Sequence, residues 1–365
     1  MKIIRNKFFP DETISKVLIS STSRFLGSFE SDSNLLTHAW RSFSDPIGNY
    51  SLEESPITRN AFIFAFETEP LNKMVGITVP NYSFIGNIVC SYLSVLFGKR
   101  FDNHGLIESV GNFRFPDLSS SLISICDSKL PFNSFKKRNS FSIDLNLQYF
   151  RCFERMFIDR EIETKFRHTF DTCCKFYWQA LKTVEVDAEI AYLNLITAGE
   201  VLSNYFEYSK EELIDEDTLI LLKIIEKELD KGKEIRNNFE SKMRSIKSKY
   251  VKTIMNFIDD DFFQKSNVLK KTHDFNKVDF EKNIKASYDL RSKFTHTGLA
   301  FGNWIKPGSG YSDLPIGLPV TNDSNLNKIL SKAPLFNGLE RVIRYVLLKF
   351  YESELSINIL QHETQ

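Results

Sequence analysis

Two residues near position 290 carry side chains suited to phosphoryl-transfer chemistry. Arg291 and His296 are separated by four residues in the segment YDLRSKFTHTG, residues 288–298. An arginine guanidinium is planar and permanently charged, so it can stabilise the oxyanion of a phosphorane. A histidine with a pKa near neutrality can take the proton from a ribose 2′-hydroxyl or return one to the leaving oxygen. This pair of residue types indicates RNA cleavage as a candidate chemistry.

The residues around this pair predict a helix that ends shortly after His296. Asp279 suits the N-cap position and Gly298 the C-terminal stop. An apolar stripe at helical spacing lies between them: Phe280, Ile284, Leu290 and Phe294. Positions five residues apart are about 140° apart around a helix, so Arg291 and His296 do not share a face. A site that uses both residues needs a loosened last turn or a second copy of the helix.

Three further polar residues are candidates to support this pair. Ser292 follows the arginine directly, and Tyr288 precedes it by three residues. Glu200 lies in a second predicted helix, which begins after Asp187 as N-cap and runs to about residue 205. Its carboxylate either faces solvent or holds the arginine or histidine in place.

The segment 216–258 is amphipathic and basic, with apolar residues at a spacing of three to four. Within it, the candidates for contact with an RNA backbone are Lys242, Arg244, Lys247 and Lys249. Such a surface gives salt-dependent RNA binding. The alternative is that these side chains form the solvated exterior of a helix.

The charge balance limits how nucleic acid could be bound. Lys+Arg and Asp+Glu each total 47, so the formal net charge is zero. Any affinity for RNA must therefore come from a local patch. Aromatic residues make up 13% of the chain, which argues for packed cores and against a disordered protein.

The cysteines and the apolar segments indicate a cytoplasmic, soluble protein. The five cysteines show no C-x-x-C spacing, so reduced and mostly buried thiols are expected. No credible metal cluster is visible, and we expect neither a metal ion nor a cofactor. The start of the chain lacks the apolar core of a signal peptide. The most apolar stretch, residues 84–97, is too short and too polar to span a membrane.

The chain divides into two predicted domains, a mainly α protein with a smaller α+β part in front. The first covers residues 1–135 and contains short β-prone runs at 61–66 and 74–79. A helix over 85–96, ended by Gly98, follows them. The second covers residues 146–360 and is a helical bundle. The polar segment 129–145 is the predicted linker, in which the basic run KKR, residues 136–138, is expected to be solvated but could touch phosphate.

The bundle consists of several predicted helices. One helix, either continuous or broken once, runs near 147–182, the helix with Glu200 follows, and an amphipathic helix that includes residues 339–350 closes the bundle. Between the motif helix and the closing helix lies a long connection, residues 299–330.

With these parts in order, the second half resembles the HEPN superfamily, and within it the Apea-like group. Three segments carry the resemblance: FYWQAL (176–181), AYLNLITAGEVL (191–202) and YDLRSKFTHTG (288–298). The resemblance implies a dimeric helical bundle in which Arg-x(4–6)-His motifs from two protomers line one cleft. By position, Arg291 and His296 are that pair, and Glu200 matches an acidic residue of the second helix. Active members often have Asn, Asp or His where this chain has Ser292, which can still donate and accept a hydrogen bond.

The expected activity is therefore that of a metal-independent endoribonuclease that leaves 2′,3′-cyclic phosphate ends. The resemblance also implies a bacterial defence or toxin role, with the first domain as sensor or brake. Two other readings stay open. One is a non-catalytic module that binds RNA, a nucleotide or a partner protein. The other is a structural dimer, in which Arg291 pairs with a carboxylate and His296 caps a helix end.

Overall fold

In the computed structural model, the described residues are 13–39, 60–68, 81–109, 112–113, 126–127, 129–159, 161–213, 216–236, 246–266, 268, 273–307 and 311–359. Three sequence-based predictions fall outside these ranges. They are the strand over 74–79 and the two RNA-binding candidates Lys242 and Arg244.

The first part of the chain forms an antiparallel six-stranded sheet. Its strands, in the order β2-β3-β4-β1-β5-β6, are β1 Ile14–Ser21, β2 Phe29–Glu30, β3 Asn34–His38, β4 Asn60–Glu67, β5 Phe101–Ser109 and β6 Asn112–Phe113. Strand β4 confirms the predicted strand over 61–66, whereas β1 to β3 lie where the sequence supported no assignment. β1 and β4 pair along their whole length, with Ile14 opposite Glu67 and Ser21 opposite Asn60.

The other regular elements of the described chain are helices. They are α1 Ser83–Phe97, α2 Arg155–Ile158, α3 Thr164–Thr183, α4 Ala188–Ser203, α5 Lys210–Leu213, α6 Glu216–Glu228, α7 Ile246–Phe257, α8 Asp260–Gln264, α9 Phe280–Thr297, α10 Gly302–Ile305, α11 Ser324–Leu330 and α12 Phe336–Leu355. A 3₁₀ helix, Leu147–Phe153, precedes α2. The α+β first part and the helical second part are thus confirmed. In the described ranges, no helix has the length and apolar character needed to cross a membrane.

The helix ends follow local sequence chemistry. Gly98 after α1 and Gly298 after α9 have φ values of 62° and 66°, a left-handed conformation that glycine adopts without strain. Asp187 caps α4 through a hydrogen bond from the Ile190 N–H at 3.0 Å. Asp279 holds the N-cap position of α9, but its carboxylate makes no capping bond. It accepts a hydrogen bond from Lys282 Nζ at 3.1 Å instead.

One hydrophobic cluster extends from the sheet to the last helix, and includes Val17, Leu93 and Leu347. The predicted linker is part of this cluster, because Phe132, Phe141 and Ile143 in residues 129–145 are buried. The expected solvation of the basic run 136–138 is wrong for Arg138, whose side chain is 3% exposed. The division into domains 1–135 and 146–360 remains a prediction.

Arg138 is buried because it pairs with Glu340 near the start of α12. Its NH1 donates to Glu340 Oε1 at 3.1 Å, and its NH2 pairs with Oε2. The Tyr177 hydroxyl of α3 also donates to this carboxylate. Lys99 lies close by, and its Nζ donates to the carbonyls of Pro131, Ser134 and Lys136 at 2.6–2.7 Å. The Glu340 carboxylate thereby joins α3, α12 and the segment after the sheet.

Two arginines of α12 itself, Arg341 and Arg344, are also buried. Arg344 donates to the Val95 and Leu96 carbonyls at the end of α1, at 2.8 and 2.5 Å. Arg341 pairs with Asp313 in the connection before α11 and donates to the Phe262 carbonyl at 2.9 Å. The amphipathic pattern predicted α12. It did not predict that three charged residues of this helix, Glu340, Arg341 and Arg344, are buried.

We predict that Glu340→Gln lowers the free energy of unfolding by about 3–5 kcal/mol, because it leaves the Arg138 charge buried without its counter-charge. Urea denaturation measures this loss. The matched control is Glu281→Gln, which breaks an exposed pair with Lys285 and costs under about 1 kcal/mol. Equal effects of the two substitutions contradict the prediction.

Candidate functional site

The candidate site lies where α4, α7 and α9 meet, and Gly199 sets how closely they approach. A Cβ atom on Gly199 would lie 2.5 Å from Cε2 of Tyr250, so only glycine lets this α7 ring pack against α4. The Tyr250 ring centre is 5.6 Å from that of Tyr288 on α9. The Tyr250 ring thus packs against the Tyr288 ring, near Glu200.

Glu200 and Arg291 form an ion pair between α4 and α9. Glu200 Oε1 lies 3.4 Å from Arg291 NH2, and the two side chains are 13% and 33% exposed. The Arg291 guanidinium carbon is also 5.6 Å from the centre of the Tyr288 ring, within cation–π range. Of the two alternatives for Glu200, the structure therefore shows the one in which it holds the arginine. A third of the Arg291 side chain still faces solvent.

Tyr288 links these charges electrostatically. Burial raises the pKa of Tyr288, and the Glu200 carboxylate raises it further, since a phenolate beside a carboxylate is disfavoured. The Arg291 guanidinium acts in the opposite direction. Glu200, Tyr288 and Arg291 consequently form one coupled group, which we call the Glu200 cluster.

His296 stands apart from the Glu200 cluster. It lies exposed in the last turn of α9, and its imidazole makes no hydrogen bond or ion pair with any residue that the structure describes. The turn is regular, because the Gly298 N–H donates to the Phe294 carbonyl and the Thr295 hydroxyl to the Arg291 carbonyl, both at 2.8 Å. A loosened last turn is therefore wrong. Arg291 and His296 of one chain stay about 140° apart around the helix axis.

Ion pairs on both sides fix the orientation of α9. Asp289 pairs with Lys247 of α7 at 2.6 Å, and Lys293 pairs with Asp323 at 2.8 Å. Asp323 also caps α11, accepting from two backbone N–H groups at 2.9 Å. These pairs surround Arg291 with anchored neighbours, so its direction is set by the scaffold.

The other candidate residues are placed differently. Lys247, a predicted RNA contact, is bound to Asp289, and Lys249 is half-buried. Ser292 is half-buried and makes no hydrogen bond within the described ranges. Sequence reasoning missed Gly199 and Tyr250. The available signal was the glycine directly before Glu200 in a helix, where glycine is costly unless packing demands it.

Comparisons of the chain with protein-family models, with curated proteins and with solved structures gave no match. Among the residues the structure describes, no three His, Cys, Asp or Glu side chains are grouped so that they could hold a metal ion. The contacts of Glu200, Tyr288 and Arg291 are therefore the evidence for the chemistry of this site.

We predict that Glu200→Gln lowers the pKa of Tyr288, since the carboxylate that disfavours the phenolate is removed. Ultraviolet titration of tyrosine ionisation measures the change as a shift of one phenol to lower pH. The Glu200 carboxylate also raises the pKa of Tyr250, so the control is the same substitution in a background that carries both Tyr288→Phe and Tyr250→Phe. There the shift must vanish, and a shift that is equally large with Tyr288 alone replaced contradicts the prediction.

We also predict that Gly199→Ala destabilises the protein by about 1–3 kcal/mol through overpacking against Tyr250. Thermal or urea unfolding measures the loss. Adding Tyr250→Leu removes the ring atom that the new methyl group meets, so the double variant should lose less than the sum of the two single substitutions. Simple additivity contradicts this packing account.

Proposed function

We propose that the chain is a metal-independent endoribonuclease built on a HEPN-type bundle. The observation that carries the proposal is the state of Arg291. Its guanidinium is held by a carboxylate on the neighbouring helix and rests near an aromatic ring, yet it remains 33% exposed. A positioned and accessible guanidinium is what stabilisation of a phosphorane requires.

His296 supplies the second component. It is exposed and five residues from the arginine on the same regular helix. Acting as general base, it takes the proton of a ribose 2′-hydroxyl. The 2′-oxygen then attacks the adjacent phosphorus, and Arg291 neutralises the added negative charge. The bond to the 5′-oxygen breaks, this oxygen takes up a proton, and the products are a 2′,3′-cyclic phosphate and a 5′-hydroxyl.

The regular helix supports a site in which a second copy of the chain completes the pair. Because the last turn of α9 is intact, one chain cannot direct both side chains at the same phosphate. A homodimer that places His296 of one protomer beside Arg291 of the other resolves this constraint.

The biological setting follows from the resemblance alone. An RNase of this kind fits a bacterial defence or toxin effector that cuts cellular RNA. The six-stranded sheet would then act as sensor or brake. The chain is proposed to use no cofactor and to act in the cytoplasm.

The second candidate is a non-catalytic module that binds RNA, a nucleotide or a partner protein, or serves only as structure. One observation favours it. Glu200 already neutralises Arg291, and Lys247 is bound to Asp289, so both cations have intramolecular partners. The ion pair serves either function, since it can orient a catalytic arginine or merely join two helices.

We predict that purified protein cleaves RNA in the presence of EDTA and leaves 2′,3′-cyclic phosphate ends. His296→Ala should reduce the rate by about 10²–10⁴-fold, the usual contribution of a general base. Arg291→Ala should reduce it by about 10²–10³-fold, as the loss of an oxyanion-stabilising group does. Gel analysis of RNA and mapping of the product ends measure both effects.

The matched control is His168→Ala, which removes an exposed histidine from α3. It should leave cleavage unchanged. If wild type does not cleave but binds RNA in a salt-sensitive manner, the binding module is favoured. If Arg291→Ala lowers the melting temperature and no variant changes any property toward RNA, the role is structural.

A further inference from the structure

A second polar site lies far along the chain from Arg291, beside the segment that follows the sheet. We call it the KKR cleft, because residues 136–138 line it together with Ser134, Asn139 and Tyr311. Its volume is about 190 Å³. A smaller cavity shares Arg138 and Tyr311 with it and is also lined by Asp313, Arg341 and Asn337, the last at the start of α12.

The Nε–H group of Arg138, beside the cleft, donates no hydrogen bond. The terminal nitrogens of this arginine bind the Glu340 carboxylate and the Gly98 carbonyl, but Nε is buried and makes no hydrogen bond. Both amide atoms of Asn337 are also buried without a hydrogen bond. Native proteins rarely leave buried polar groups unpaired, and such groups are often explained by a ligand, ion or water.

The charges around the cleft favour an anion. Three buried guanidinium groups lie beneath the cleft, those of Arg138, Arg341 and Arg344. Two buried carboxylates oppose them: Glu340 pairs with Arg138, and Asp313 pairs with Arg341. Buried cations therefore outnumber buried carboxylates beneath the cleft. Lys136 adds an exposed ammonium at its mouth. Fixed charges of one sign under a concave surface concentrate ions of the opposite sign.

We infer that the KKR cleft binds the phosphate group of a small molecule. Several oxygens around one phosphorus match a site that offers both a guanidinium N–H and lysine ammonium groups. Lys136 contacts the phosphate at the mouth, and Arg138 Nε–H donates to it at the base. Lys137 joins them by exchanging its exposed ion pair with Asp144 for the phosphate. Lys137 also borders a cleft of about 410 Å³ that contains Arg24, Phe135 and Asp144, which gives room for an organic portion.

Calorimetric titration of the full chain at fixed ionic strength tests this inference. The probes are inorganic phosphate, adenosine 5′-monophosphate and adenosine. Phosphate and the monophosphate should bind, and adenosine should not. Tighter binding of the monophosphate than of phosphate identifies a phosphomonoester as the ligand, whereas equal binding identifies free phosphate.

Lys136→Glu combined with Lys137→Glu should weaken the binding by about tenfold or more, since it removes two charge-assisted contacts. The matched control is Lys223→Glu with Lys227→Glu on the exposed side of α6, which changes the net charge equally. It should leave the affinity unchanged. No binding of phosphate or the monophosphate, or equal weakening by the control pair, overturns the inference. Arg138 is left intact because it also holds Glu340.

Discussion

The Glu340 carboxylate is the point on which the packing of this protein depends. Fully buried near the start of α12, it accepts hydrogen bonds from Arg138 and Tyr177. A buried charge is tolerated only when it is paired and hydrogen-bonded, so each of these partners must be in place for the others to stay buried. Arg138 brings in the segment after the sheet, and Tyr177 belongs to α3. Together with the shared hydrophobic cluster, this carboxylate joins the segment after the sheet to the bundle.

The candidate site depends on a second constraint, the regularity of α9. An intact helix carries Arg291 toward Glu200 of α4 and turns His296 toward solvent. The same regularity that fixes the arginine therefore prevents the histidine of that chain from joining it. For this reason we propose a catalytic pair that spans two chains, on a helix that the ion pairs of Asp289 and Lys293 hold in place.

The sequence predicted those features that arise from local chemistry. Helical spacing and a terminal glycine identified α1 and α9, and Asp187 was confirmed as the cap of α4. The helix wheel allowed two positions for the Glu200 carboxylate, in solvent or against the arginine or histidine, and only the structure shows that it pairs with Arg291. These features need no knowledge of distant residues.

Long-range pairing could not be predicted in this way. Arg138 and Glu340 are 202 residues apart. An arginine in a polar segment is ordinarily exposed to solvent, so its burial was not predicted. Strands β1 to β3 were missed because serine and asparagine surround them, and because β1 and β3 pair with β4, which comes later in the chain. Gly199 could have been noticed, but nothing local specifies that Tyr250 is the ring it admits.

We propose that Arg291 and His296 act together across two copies of the chain. The most direct test mixes Arg291→Ala protein with His296→Ala protein after each is shown to be inactive alone. In a mixed dimer, the intact arginine of one copy meets the intact histidine of the other. We predict that RNA cleavage with 2′,3′-cyclic phosphate ends returns in the mixture. A mixture that forms mixed dimers yet stays as inactive as its components contradicts the account.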